Sequence, residues 1–444
     1  MSRASRSRTS PALLPAPSAS AGLVEWLAYL EALHPATIDL GLDRVAAVRD
    51  SLGLRPPFPI ITVGGTNGKG STCALLESCL RCAGYRTGLY TSPHLLRYNE
   101  RVRIDGRQAD DASLVRAFEN VERARGDYSL TYFEFGTLAA LLMFIQARVE
   151  VGVLEVGLGG RLDAVNAFEP SCAIVTSVDL DHQNYLGPTR EHIGREKAGI
   201  MRGNVPVVIA DPEPPLSLMQ HAQEIGAQLY LIDRDFGFSV RDTQWEFWDW
   251  RGTRAALPWL ALRGEYQLSN ASAALAALDT LRDRLPVDMG AIRRGLVEVD
   301  LPARFQVLPG RPTIVLDVAH NPHAAQRLAQ NLHRMERRGR RFAVFAMLKD
   351  KDIAAVLSAV RDEIDEWLIA PLSGARGADL PTLKRGFERA SIAQPMSAFD
   401  DVEAAYAAAL ERAQSDDKIV VFGSFFTVAG ALHRISPDLK SDLK

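Results

Sequence analysis

Short apolar runs alternate along the chain with stretches whose apolar residues recur at helical spacing. That alternation predicts an α/β fold with a largely parallel sheet. Leu23, Trp26, Leu27, Leu30 and Leu33 follow the helical period. Pro59–Val63, Val151–Val156, Ala173–Val178 and Pro206–Ala210 are near-continuous apolar runs, as expected of strands buried on both faces. Trp245, Phe247, Trp248 and Trp250 nearly alternate and are followed by Arg251-Gly252. Such a run suits either a base-stacking platform or a β-hairpin. Without a basic groove, a hairpin packed on the sheet is the expectation. Asn270–Leu281 is Ala- and Leu-rich and predicts a helix.

Leu301-Pro302-Ala303-Arg304 interrupts the pattern, and a second series follows. Thr313–Val318, Phe342–Met347, Glu366–Ala370 and Lys418–Gly423 read as strands, with helices near 323–335, 352–361, 379–390 and 401–414. This predicts a smaller, Rossmann-like doubly wound domain over 301–444, with the boundary near residue 300. The sequence shows no internal repeat or coiled-coil heptad.

Composition narrows the classes. The 444 residues suit two or three domains. Lys+Arg 51 against Asp+Glu 54 gives a net charge of −3, which argues against a basic nucleic-acid-binding domain but not against a local basic groove. The apolar runs fall short of the roughly 18 residues of a membrane span. Cys73, Cys79, Cys82 and Cys172 are too few and too clustered for a disulfide framework, so a reducing, cytoplasmic setting is expected. Residues 1–24 carry Arg3, Arg6 and Arg8 and no acid, which suits a transit peptide or a disordered tail. Pro11, Pro15 and Pro17 break any amphipathic helix there and favour a tail over 1–21.

The strongest local signal is Gly64-Gly65-Thr66-Asn67-Gly68-Lys69-Gly70-Ser71, which follows a strand run and opens a helix. Glycines let backbone N–H groups turn toward phosphates, and a helix N-terminus favours negative charge. Lys69 can reach the β/γ oxygens and Ser71 can ligate Mg²⁺. The loop departs from G-x-x-x-x-G-K-[ST]: Val63 replaces the first Gly, and Gly70 separates Lys69 from Ser71. The helix shows Leu76, Leu80 and Ala83 on one face and stops at Gly84. Cys79 and Cys82 lie inside it, away from any strand-to-helix turn, and read as packing residues. The expected N-terminal unit is therefore a P-loop ATPase domain over 22–300 with a mainly parallel sheet.

Ligands of doubly wound sheets sit outside the carboxyl ends of the strands. Polar residues gather there repeatedly: Thr91-Ser92-Pro93-His94, Glu155 with Gly157–Asp163, Asp179-Leu180-Asp181-His182, and Asp317-Val318-Ala319-His320-Asn321. Each alone suits a cap or turn. Glu155 and His182, with a hydroxyl such as Ser92, suit Mg²⁺ or Mn²⁺. No cysteine spacing or His-x-x-x-His pair suggests zinc.

These motifs, with Arg97-Tyr-Asn-Glu-Arg-Val102, Leu186-Gly187, Gly194-Arg-Glu-Lys-Ala-Gly-Ile200 and Asp317-Val-Ala-His-Asn-Pro-His323, resemble those of the bacterial dihydrofolate synthase/folylpolyglutamate synthase family, relatives of the muramyl-peptide ligases. The resemblance runs from about residue 22 to about 432. It implies an ATP-driven ligation. A pteroate or folate carboxylate becomes an acyl phosphate, and the amine of L-glutamate displaces phosphate. It implies ATP contacts at Thr66, Asn67, Gly68, Lys69, Gly70, Ser71, Asn270, Arg304 and Asp317. Mg²⁺ (one ion or two) falls to Ser92, Glu155 and His182, with K⁺ as a candidate further cation. Lys69, Lys197 and His182 take catalytic roles, and Lys197 matches the family's carbamylated lysine. A cation paired with Glu196 is the other reading of Lys197. Thr131, Tyr132, Phe133, Glu134, Leu162, Asp163 and Ala164 match pterin contacts, although aromatic and acidic residues there equally suit core and cap. His320 is implied near the nucleotide or the glutamate. Phe426 stands where the family commonly has His, and Ser71 where close relatives often have Thr.

The implied partners are dihydropteroate, folates, L-glutamate and ATP, acting on a monomer without nucleic acid or membrane. A muramyl-peptide ligase would carry an extra N-terminal nucleotide-sugar domain, and the loop near residue 64 leaves no room for one. A regulatory nucleotide-binding module would not need Glu155, His182 and Lys197. A free P-loop phosphotransferase would not need a second domain with Arg304 and Asp317.

Overall fold

The computed structural model describes residues 15–435 apart from 19, 242 and 243. The tail expected at 1–21 lies outside the described residues over 1–14 and at 19.

The N-terminal sheet contains β1 (Ile60–Gly64), β2 (Thr87–Tyr90), β3 (Val102–Ile104), β4 (Arg107–Gln108), β5 (Val151–Glu155), β6 (Cys172–Val175), β7 (Pro206–Ile209) and β8 (Gln228–Leu231). Their spatial order is β4-β3-β2-β5-β1-β6-β7-β8. Pairing is parallel from β2 to β8, and β3 and β4 extend one edge antiparallel. Side chains alternate across a strand. Ile60, Leu154 and Val175 accordingly join a core with the helices Asp111–Arg125 and Tyr132–Gln146, whereas Ile61, Val153 and Ile174 join the core on the opposite face. Covering both faces explains why these strands read as continuous apolar runs.

The helix Lys69–Cys82 is buried all round from Ser71 to Leu80, not along one face as the Leu76/Leu80/Ala83 pattern predicts. It lies between the sheet and the helices Tyr266–Thr280 and Met289–Glu298. Gly295 permits that approach, since a Cβ there would stand 2.6 Å from the Cys79 Cα. Cys79 is thus a packing residue, and all four cysteines are free thiols.

The tryptophan-rich run forms the expected hairpin, closing at Asp249–Gly252, but it packs on a helix and not on the main sheet. It is the middle strand of a separate antiparallel sheet of β9 (Phe236–Arg241), β10 (Gln244–Asp249) and β11 (Gly252–Leu257), ordered β11-β10-β9. Trp245 and Phe247 are buried in the core that includes Leu268 and Leu275, so the unit caps a helix that already covers the main sheet.

The C-terminal sheet holds β12 (Gln306–Leu308), β13 (Thr313–Leu316), β14 (Arg341–Phe345), β15 (Glu366–Ile369), β16 (Met396–Ala398) and β17 (Lys418–Phe422). Its order is β12-β13-β17-β14-β15-β16, with only β12 antiparallel. Helices cover both of its faces. Among the described residues no helix is long and apolar enough to cross a membrane.

Candidate active site

The phosphate loop joins β1 to the helix Lys69–Cys82 and is pinned to the end of β6. Thr66 N donates to Ser177 O at 2.6 Å, Asn67 N to Ser177 Oγ at 3.2 Å, and Thr176 Oγ1 to Asn67 O at 2.7 Å. Gly68, at φ +91°, caps the helix, and a Cβ there would lie 2.4 Å from Asn270 Oδ1. Glycine is therefore required both by the left-handed backbone and by the close approach of Asn270. Asn270 is oriented by its Nδ2, which donates to Gln267 Oε1 at 2.8 Å. The Lys69 ammonium donates to Thr66 O at 3.1 Å.

Glu155 ends β5 with a buried carboxylate that accepts from Ser92 N at 3.1 Å. A Cβ on Gly70 would lie 3.8 Å from both carboxylate oxygens and 3.7 Å from Arg304 Nη2. Glu155 thus faces the first turn of the phosphate-loop helix together with an arginine of the second domain. Burial raises its pKa despite the cations Lys69, Arg304 and Arg101 around it.

Lys197 lies in the helix Arg190–Ala198 and is buried. Its Nζ donates to Gly65 O at 2.7 Å, not to Glu196, which instead pairs with Arg161 at 2.8 Å. Burial, reinforced by the Lys69 ammonium, brings the Lys197 pKa down to about 7. A substantial fraction is then neutral amine near neutral pH.

His182 follows β6 at φ +50°. Burial lowers its pKa to about 4, so the imidazole is neutral with a lone pair to give. The Lys69 charge acts on Glu155, His182, Lys197 and Asp163 alike.

From the second domain, Asp317 at the end of β13 accepts from Phe305 N at 2.9 Å and Ala319 N at 2.7 Å. Burial raises its pKa to about 6. Arg304 stands between Ala303 and Phe305, both at positive φ (+61° and +47°). Two non-glycine residues held in that region mark a backbone that its surroundings over-determine. The Arg304 guanidinium lies 5.0 Å from the centre of the Phe425 ring. The domains meet directly at the phosphate loop, where Asn321 Nδ2 donates to Asn67 Oδ1 at 3.0 Å. His320 places Nδ1 2.8 Å from Val318 O and Nε2 3.7 Å from Asp181 Oδ2. Phe426 is 63% exposed and adds no polar group to this site.

The residues matched to pterin contacts divide in role. Thr131 and Glu134 form a capping box on the helix Tyr132–Gln146, and Glu134 also pairs with Arg44 at 3.0 Å. Asp163 accepts from Leu158 N at 2.9 Å and Val165 N at 3.0 Å, and its pKa is pushed up to about 7 by burial. These carboxylates shape loops and so are not free hydrogen-bonding arms. Phe133 packs over Gly157, where a Cβ would fall 2.7 Å from its ring. Tyr132 faces Arg101, whose guanidinium lies 5.5 Å from that ring. Leu162 is half-buried and Ala164 buried beside Asp163.

Sequence reasoning passed over Arg44 and Lys351 and gave Arg101 no role beyond its place in the Arg97–Val102 motif. Arg44 ties the segment holding Asp39 (Nη1 to Oδ2, 2.6 Å) to Glu134. Lys351 reaches Asp181 and His182 from the second domain. The Arg44–Glu134 pair spans 90 residues and Lys351 reaches across the domain seam, so no local spacing signals either; Arg101 meets the nearby His94 and Tyr98 as well as the Tyr132 ring.

The donors fit a hard divalent cation: one buried carboxylate, a hydroxyl and a neutral imidazole. Among the described residues no group of three or more His, Cys, Asp or Glu side chains is arranged to hold a metal ion by itself. A metal held by this set would complete its shell with water and phosphate oxygens, as Mg²⁺ commonly does.

Comparison with known proteins identifies the family and the fold. Residues 63–278 match the Mur ligase middle domain, and 303–425 match the Mur ligase glutamate ligase domain. The Escherichia coli dihydrofolate synthase/folylpolyglutamate synthase is 47% identical over 420 residues, covering 94% of this chain and 97% of its own. Among solved structures, E. coli FolC in complex with DHPP and ADP superposes with a TM-score of 0.90 at 46% identity, covering 95% of this chain and 99% of that one. A Yersinia pestis bifunctional folylpolyglutamate synthase/dihydrofolate synthase with Mn, AMPPNP and L-glutamate bound gives 0.88 at 45% identity, covering 95% and 100%. Motifs, fold and similarity over nearly the whole length concur: the chain belongs to the dihydrofolate synthase/folylpolyglutamate synthase family of the Mur ligase superfamily.

Proposed function

We infer that the chain is an ATP-dependent carboxylate–amine ligase that joins L-glutamate to dihydropteroate and to folates through an acyl phosphate. The observation that carries the chemistry is the meeting of Glu155, Gly70 and Arg304, which places a buried carboxylate of one domain and a guanidinium of the other at the first turn of the phosphate-loop helix. A carboxylate is a poor electrophile because its leaving group would be oxide. Phosphorylation supplies a good leaving group, and the transfer itself is mostly positioning and charge neutralisation.

In this reading the loop 64–68 and Lys69 hold the phosphates, and Arg304 meets them from the second domain. Asn270, aimed by Gln267, reads the adenine edge. Asp317 sets the Arg304 loop through its two backbone bonds. Ser92, Glu155 and His182 would hold Mg²⁺ or Mn²⁺, which neutralises phosphate charge when bound. The wall formed by Phe133, Tyr132 and the Asp163 loop receives the pterin.

Lys197, partly neutral and beside Lys69, takes up CO₂ as its amine nitrogen bonds the carbon and releases a proton. The resulting carbamate is an anion next to a cation-rich site. One chain supplies every group named, so a monomer suffices as the active unit. Phosphate release tests the function: it is expected only with ATP, Mg²⁺, a pteroate-type acid and glutamate together. Equal release without any folate compound would refute the ligase.

A further inference from the structure

The domain seam carries a cation that the reaction above does not use. Lys351 lies in the turn after β14, and its side chain is only 6% exposed. Its Nζ donates to Asp181 Oδ1 at 2.5 Å and stands 3.2 Å from His182 Nε2. Asn321 Nδ2 donates to Asp181 Oδ2 at 3.1 Å, and His320 Nε2 faces that oxygen at 3.7 Å. Three groups of the second domain thus converge on one carboxylate of the first. A buried ion pair is weak evidence for stability, because desolvation offsets its attraction; fixing register or switching is its better-attested use.

The contact with His182 says which. An ammonium only donates, so this bond occupies the lone pair of Nε2. A divalent cation bound to His182 through Nε2 needs the same lone pair. The two cations cannot share it.

We propose that Lys351 is a placeholder cation at His182. It holds the imidazole through Nε2 and yields that nitrogen when a divalent cation arrives with nucleotide. Asp181 permits the exchange, because Lys351 keeps its carboxylate partner throughout and no buried charge is left alone. Lys351 is therefore a positioning residue that sets how tightly the site takes its metal and that registers the second domain on the loaded site. The proposal rests on reading His182 as a metal ligand.

The test is Mn²⁺ binding to the full chain saturated with AMPPNP, followed by loss of the free-Mn²⁺ electron paramagnetic resonance signal. Lys351→Met keeps the stem and removes the charge, and Lys351→Gln serves if the first variant folds poorly. Binding about tenfold tighter than in the native chain is expected, since a cation close to a divalent ion is removed. The gain should shrink below about twofold when both chains also carry His182→Ala, as a direct coupling requires. Unchanged affinity overturns the proposal. So does a gain that persists undiminished in the His182→Ala background, which would mean charge acting at a distance. The native arm separates the two ideas: if His182→Ala alone leaves Mn²⁺ affinity unchanged, His182 is no ligand, and both the metal-site reading and this proposal fall.

Discussion

Glu155 and Asp317 occupy equivalent places in the two domains: each is a buried acid at the carboxyl end of a parallel strand, beside the seam. Their hydrogen bonding separates them. Among the described residues Asp317 receives two backbone N–H groups, whereas Glu155 receives one and is otherwise surrounded by cations. A carboxylate saturated by its own chain organises a loop. One left short of partners in a cation-rich pocket keeps its oxygens for a ligand. Similar residues at similar strand ends thus divide into scaffold and chemistry according to what the neighbouring backbone offers them.

The comparison breaks first at Glu155. Glu155→Gln should lower ligation by about 10³-fold or more, as expected when metal-held charge stabilisation is lost. Thermal unfolding should show stability unchanged or higher, because a desolvated charge goes with it. A strong loss of stability would make Glu155 scaffold as well.

Lys197→Ala comes next, with turnover down by about 10²-fold or more, as for a lost charge-stabilising group, and AMPPNP affinity retained by calorimetry. Rescue by short-chain carboxylates would support the carbamate. The unmodified amine also predicts a pH dependence. Its folded pKa, about 7, lies below its ordinary 10.5, so between those values the unfolded chain binds the extra proton. The native chain, kept free of CO₂, should gain stability relative to Lys197→Met as pH rises from 7 to 10.5. Below pH 7 the difference should level off.

Asp317→Ala is expected to cost about 1–3 kcal/mol in denaturant unfolding, because two buried N–H groups lose their acceptor. Nucleotide affinity should fall by about tenfold as the Arg304 loop relaxes, a change of about 1.4 kcal/mol. A loss of turnover with both quantities unchanged would move Asp317 into the chemistry. The smallest effect belongs to Thr131→Ala, at about 1 kcal/mol of stability for a lost N-cap. A higher KM for dihydropteroate with kcat unchanged would show that the cap shapes the pterin wall.

The central parallel strands of both series, seven of the fifteen α-helices among the described residues and the glycine loop were legible along the chain, because period and turn chemistry are local. So was the list of polar strand ends. The tryptophan run was misplaced because alternation states that one face is buried, not what buries it. The helix Lys69–Cys82 likewise hides a second covered side that its spacing does not reveal. Arg44 and Lys351 escaped because Glu134 is distant in sequence and Asp181 and His182 lie across the seam.

By itself the sequence determined the α/β order of elements, the phosphate loop and the family, since each depends on residues adjacent in the chain. Only the tertiary structure decided which buried acids are saturated and which are left open, that Lys197 turns to Gly65 O and not to Glu196, and that Lys351 meets His182. The physical reason is that a group's charge and hydrogen-bonding capacity depend on its desolvation and neighbours, and packing brings those neighbours from remote parts of the chain.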